Sequence, residues 1–157
     1  MITALNLANN DLTKNLYRLQ KVAYQIEADM LEFYEIPPLM ESFEQFLKSN
    51  ETFYAYLEGD DVVGAVSIAV DKELVEVTRM MVDPNHFRKG IAKALLHYVE
   101  SKTKPSQLLK VATGAKNTPA ICLYRSSGYQ FVERKVVKGS VELVYFQKEQ
   151  RTSEEKV

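Results

Sequence analysis

From Leu12 to about Met30 apolar residues recur at three- and four-residue steps. Leu16, Leu19, Val22, Ala23 and Ile26 form one stripe, which predicts an amphipathic helix. Asn9-Asn10-Asp11 just before it offers short polar side chains able to accept from first-turn N–H groups. A short strand over Ile2–Leu7 precedes this helix. Pro37-Pro38 then breaks the chain, because neither residue has an N–H and each restricts the residue before it. A second helix is read over Leu39–Lys48, with Phe43, Phe46 and Leu47 on one face. The middle of the chain changes period. Thr52–Leu57 and Val62–Val70 flank Glu58-Gly59-Asp60-Asp61, the pattern of a hairpin, and Leu74–Val82 reads as a third strand beside it.

Helical spacing returns at Lys89–Lys102, where Ile91, Ala92, Leu95, Leu96 and Val99 share a face. Gln107–Ala112 is a short strand. Pro119–Ser127 is a short helix, with Thr118 as its cap and Gly128 just past its end. Phe131–Val137 and Val141–Gln147 close the pattern as a hairpin through Lys138-Gly139-Ser140. The order β α α β β β α β α β β predicts an α/β fold with a mixed, mostly antiparallel sheet flanked by helices. A single domain is expected over residues 2–148, and the polar stretch 149–157 reads as a flexible C-terminal tail.

Composition narrows the chemistry. Twenty Lys and Arg against twenty-one Asp and Glu leave a net charge of −1, so no global field recruits nucleic acid or an anionic membrane. One cysteine excludes a disulfide scaffold and a multi-cysteine zinc site, and with two histidines no metal centre is expected. No apolar run approaches the roughly 20 residues of a membrane span, and Met1–Asn10 lacks the layout of a secretory signal. The expected location is the cytoplasm.

Two segments carry chemistry. In Val82-Asp83-Pro84-Asn85-His86-Phe87-Arg88-Lys89-Gly90-Ile91-Ala92 a strand ends and a basic loop opens directly into a helix. A helix N-terminus presents unpaired N–H groups and partial positive charge, both suited to phosphate, and Gly90 has no Cβ to hold an anion off. The same pattern serves equally as a plain strand-to-helix connection. In Asn117-Thr118-Pro119-Ala120-Ile121-Cys122-Leu123-Tyr124-Arg125-Ser126-Ser127-Gly128-Tyr129 an amide that can bind a peptide-like ligand stands one short helix away from a phenol that can donate a proton. A turn asparagine and a half-buried tyrosine are the bland alternatives. His86 and His97 read as solvated, and Cys122 as a buried small hydrophobe.

Taken together the two segments resemble the GNAT superfamily of acetyl-CoA-dependent N-acetyltransferases. Phe87-Arg88-Lys89-Gly90-Ile91-Ala92, followed by Lys93-Ala94-Leu95-Leu96, matches the family's first motif. Asn117, Ala120, Leu123, Tyr124, Gly128 and Tyr129 match the spacing of its second. The resemblance covers about residues 2–148 and implies acetyl-CoA as co-substrate. Backbone groups of Met80, Met81 and Val82 would then pair with the pantetheine arm. The loop and first turn formed by Arg88, Lys89, Gly90, Ile91, Ala92 and Lys93 would cradle the pyrophosphate. Asn117 would hydrogen-bond the pantetheine, and Tyr124 would protonate the departing thiolate.

The resemblance also points to Glu76, six residues before Val82, as general base. Regular alternation would set it on one face with Leu74, Thr78, Met80 and Val82. The resemblance places Tyr24, Phe33, Tyr34 and Glu41 near the acceptor, a small-molecule or peptide amine, and admits a homodimer. The expected reaction is direct attack of a primary amine on acetyl-CoA in a ternary complex. Phe87 departs from the family's usual Gln or Arg. It leaves open a second reading, a catalytically silent module that binds acyl-CoA or a protein partner.

Overall fold

The computed structural model describes residues 1–150, and the remainder of the expected tail lies outside the described residues. Seven strands, β1 (Ile2–Leu5), β2 (Thr52–Glu58), β3 (Asp61–Val70), β4 (Leu74–Val82), β5 (Leu108–Gly114), β6 (Gln130–Val137) and β7 (Val141–Glu149), form one sheet. Their order is β1-β2-β3-β4-β5-β7-β6. Among these pairs β4–β5 runs parallel and the others antiparallel. The helices are α1 (Asn10–Leu31), α2 (Pro37–Met40), α3 (Phe43–Leu47), α4 (Ile91–Lys102) and α5 (Thr118–Ser126). None of them is long and apolar enough to cross a membrane.

Each face of the sheet has its own core. Ile91, Leu95, Leu96 and Val99 of α4 pack with Tyr124 of α5 on Val66, Val75, Val77, Leu109, Val111 and Phe146. On the other face Leu16, Leu19, Tyr24, Ala28 and Leu31 of α1 and Phe46 of α3 cover Phe53, Ala55, Ala65 and Met81. Tyr17 meets Phe43 with ring centroids 5.1 Å apart, and Phe46 meets Phe53 at 5.4 Å, so aromatic rings of α1, α3 and β2 pack as a group. Tyr34 does not join them and is exposed.

Local chemistry sets the boundaries. Asn9 caps α1, accepting from the Leu12 N–H at 3.3 Å. At the other end Glu32 takes the left-handed conformation (φ 53°) and gives its N–H to the carbonyls of Ala28 and Asp29. The helix expected over Leu39–Lys48 is two helices. Pro37 begins α2, where a missing N–H costs nothing, and Glu41 returns to extended backbone. Ser42 then restarts the helix through a reciprocal capping box with Gln45. The cap of α5 is Asn117 rather than Thr118, because the longer Asn117 side chain reaches the Ala120 N–H at 3.3 Å.

A bulge in β4 decides which of its side chains meet which helical layer. Ser67 stands opposite Arg79, but Ile68 stands opposite Val77, which leaves Thr78 as an extra residue. Alternation therefore inverts at this point. Val75 and Val77 face α4, while past the bulge Met80 and Val82 do so and Met81 faces α1. Arg79 turns to the α1 side with Thr78, where both meet Glu51.

Candidate active site

The parallel pairing of β4 with β5 ends at Val77 and Val111, although each strand continues, to Val82 and Gly114. The two strands therefore splay apart and open a cleft in the sheet. A cavity of about 880 Å³ fills it, walled by β4, β5, the loop before α4, α5 and the C-terminal half of α1. Backbone alternation settles which edge of β4 faces inward. The Asp83 N–H bonds the Val63 carbonyl on β3, so those of Met80 and Val82 point the other way, into the cleft. The Met80 N–H already has a partner there, the Tyr24 hydroxyl at 3.2 Å.

At one end of the cleft the chain enters α4 through Arg88 (φ 66°) and Gly90 (φ 74°), both left-handed. Gly90 is the N-cap and α4 has no side-chain cap, so the N–H groups of Ile91, Ala92 and Lys93 are left without helical partners. A Cβ built on Gly90 would meet nothing within 4 Å; the backbone conformation, not crowding, calls for glycine here. Arg88, Gly90, Ile91, Ala92 and Lys93 all line the cavity. Lys89 does not, and its ammonium sits 3.9 Å from Glu58 on the other side of the loop. Phe87 lines the rim half-exposed. His86 is not free in solvent as expected. It is mostly buried beside the loop, and its Nδ1 has no hydrogen-bond partner among the described residues.

Tyr124 closes the inner end. Its ring packs edge-on to Tyr129 at 5.9 Å and beside Phe146 at 6.1 Å, and its hydroxyl has no partner among the described residues. Burial and the nearby Glu27 carboxylate push its pKa well above the ordinary phenol value, so it keeps its proton at any physiological pH. Asn117 also lines the cavity, with its Oδ1 committed to the α5 cap and one Nδ2 hydrogen to Glu27 Oε1 at 3.1 Å; the second Nδ2 hydrogen remains available. Cys122 is exposed rather than buried, because α5 and its C-cap turn Ala120, Leu123, Tyr124 and Ser127 to the protein and Cys122 falls between those positions.

Glu27 is the carboxylate that sequence reasoning missed. It projects from the buried side of α1 into the cavity and accepts from Asn117 and from Thr113 Oγ1 (3.4 Å) on β5. Burial raises its pKa, and the two hydrogen bonds only partly oppose this. A signal was present: Glu27 follows Tyr24 by three residues and precedes Leu31 by four, which puts a carboxylate on the apolar stripe.

Glu76 stands elsewhere. It is exposed on the part of β4 still paired with β5 and is not part of the cavity wall; the bulge at Thr78 removes it from the face of Met80 and Val82. Glu41 is also outside the wall. It is held by Arg79 at 2.7 Å and Gln20 at 3.0 Å. Tyr24 and Phe33 line the cavity, and Tyr34 does not.

The family model described as acetyltransferase (GNAT) family matches residues 13–129. YqkA of Bacillus subtilis, a UPF0157 protein, is 31% identical over 133 residues, which is 85% of this chain and 39% of that protein. The peptidyl-lysine N-acetyltransferase YiaC of Escherichia coli is 34% identical over 85 residues, 54% of each chain. The chain thus spans well under two thirds of the curated relatives it matches. Among solved structures, yncA from Salmonella typhimurium with its cofactor acetyl-CoA superposes with a TM-score of 0.73 at 17% identity, over 97% of this chain and 94% of that one. The family match takes in both motifs and most of the elements that wall the cavity; the chain belongs to the acetyltransferase (GNAT) family.

Proposed function

We propose that the protein is an N-acetyltransferase that moves acetyl from acetyl-CoA to a primary amine. One observation carries this reading: a single cavity joins the uncapped start of α4, the inward edge of β4 at Met80 and Val82, and the phenol of Tyr124. The solved relative yncA, described with acetyl-CoA as its cofactor, supports the same assignment. The pyrophosphate lies on the Ile91, Ala92 and Lys93 amides, with Arg88 beside them, where helix polarity favours negative charge by ~0.3–2 kcal/mol. Phe87 leaves these amides untouched. The pantetheine arm runs along the inward edge of β4, at Met80, Met81 and Val82, and meets Asn117.

The amine enters from the α1 side. Its ammonium gives a proton to Glu27, which faces the cavity as Glu76 does not. The freed lone pair attacks the thioester carbonyl, the C–N bond forms and the C–S bond breaks. Tyr124 gives its proton to the leaving sulfur and regains one as the nitrogen sheds its second. No covalent enzyme intermediate is needed, and holding amine and thioester together supplies much of the rate.

A thermal-shift titration with acetyl-CoA, CoA and ATP tests the reading. At ~100 times its dissociation constant a native-state ligand adds roughly 2.7 kcal/mol, worth roughly 5–10 °C in a domain of this size. Acetyl-CoA and CoA should raise Tm and ATP should not. No shift at millimolar acetyl-CoA would overturn the assignment.

A further inference from the structure

The cavity continues beyond Tyr124 towards the C-terminal end of α1, and its chemistry changes there. Ile26, Met30, Phe33, Ile36 and Pro37 supply apolar walls. Two acidic residues line the whole cavity, Glu27 and Glu35. They differ in kind. Glu35 is an exposed rim residue whose carboxylate faces the Lys138 ammonium at 3.9 Å, a pair whose charges offset each other. Glu27 lies deeper, hydrogen-bonded by Asn117 and Thr113, and faces no cationic side chain among the described ion pairs. Arg79, a buried cation that also lines the cavity, is more than offset by two carboxylates, Glu41 at 2.7 Å and Glu51 at 2.8 Å. This end therefore offers one uncompensated negative charge inside an apolar chamber.

From this we infer that the acceptor is a small primary amine carrying one positive charge on an apolar body, with its ammonium on Glu27 and its body against Ile26, Met30, Phe33 and Ile36. The inference rests on the acetyltransferase reading. A single buried carboxylate compensates one ammonium. A polyamine would bring two further charges into apolar surroundings, where unpaired ions are costly. The mouth also favours a compact ligand. The turn between β6 and β7 comes down on Phe33 so closely that a Cβ on Gly139 would lie 2.3 Å from the ring, which narrows access for an acceptor anchored to a folded protein.

The test is CoA release by the full chain with 2-phenylethylamine, spermidine and a lysine-containing peptide as acceptors, beside the acetyl-CoA thermal shift. The expected result is a kcat/KM for 2-phenylethylamine at least tenfold above either other amine. Glu27→Gln, which still accepts from Asn117, should lose at least tenfold of that value while keeping the acetyl-CoA shift. Spermidine or the peptide running ahead overturns the inference, as does full activity in Glu27→Gln. Binding of acetyl-CoA with no turnover of any amine also overturns it and leaves the cofactor assignment standing. No acetyl-CoA shift removes both.

Discussion

Tyr124 and Glu27 divide the proton traffic because their surroundings act on them differently. The phenol is largely desolvated at the cavity wall and faces a negative neighbour, so it stays protonated and is useful as a donor. The carboxylate is partly desolvated, so its proton affinity rises towards that of a working base. Tyr124→Phe keeps the ring packing against Tyr129 and Phe146 and removes only the donor. We expect kcat to fall about 10²-fold with the acetyl-CoA thermal shift intact, measured by CoA release. Glu27 sets a pH limb. The titratable groups facing it are Tyr24 on its own helix and Tyr124 on α5, both neutral across the working range, while β5 and its following turn contribute the uncharged Thr113 and Asn117. Arg79 on β4 is compensated. Because the carboxylate must be ionised to take a proton, kcat/KM should rise with pH through a midpoint above the ordinary carboxylate range. The Glu27→Gln profile should lack that limb.

At the level of elements the cleft depends on α1 lying close to the end of β5. Gly114 makes this approach possible, since a Cβ there would fall 2.2 Å from one Leu31 methyl and 3.1 Å from its Cγ. Leu31 is buried and cannot simply swing away. Gly114→Ala should therefore cost about 1–3 kcal/mol of overpacking, lowering Tm by roughly 2–12 °C in a thermal melt. It should also raise the KM for the amine more than that for acetyl-CoA, because α1 carries Glu27. Most of the element order was legible from periodicity and caps, as the apolar faces of α1 and α4 and the β2–β3 and β6–β7 hairpins illustrate. What escaped depends on contacts distant in sequence. The bulge at Thr78 arises because Thr78 and Arg79 both turn to Glu51, 27 and 28 residues away, and no local pattern in Leu74–Val82 announces it. Alternation carried unbroken through that strand is what sets Glu76 among the cavity residues. The cofactor end was the more legible half of the candidate site, because its two motifs are contiguous; the Glu27–Asn117 pair spans 90 residues.

Across the whole molecule the two faces of the sheet are secured differently. The α4–α5 face is apolar packing, whereas the α1 face encloses an ionic knot beneath α1 and α3. Arg79 on β4 donates to Gln20 on α1 at 2.8 Å, to Glu41 between α2 and α3 at 2.7 Å, and to Glu51 just before β2 at 2.8 Å. Its guanidinium also lies over the rings of Phe46 and Phe53, 5.5 and 5.4 Å from their centroids. One side chain thus ties together four segments that wall or support the acceptor chamber. Burial opposes the charge of Glu51, but Arg79, Thr78 and Ser49 override it and hold the carboxyl down at about 2. A carboxyl depressed on folding stabilises the native state fully above its unfolded pKa, and loses that contribution as pH falls towards the folded value. Stability should therefore drop between roughly pH 4.5 and pH 2, by up to about 3 kcal/mol from this group. Glu51→Gln removes the titration and exchanges charge-assisted bonds to Arg79 for weaker neutral ones while Glu41 still balances the guanidinium, so its urea midpoint should be lower than wild type at pH 7 and should change less on acidification. Urea unfolding of both proteins at pH 7 and pH 3 checks this. Parallel acid sensitivity in the two would mean that the knot is not what acid unties.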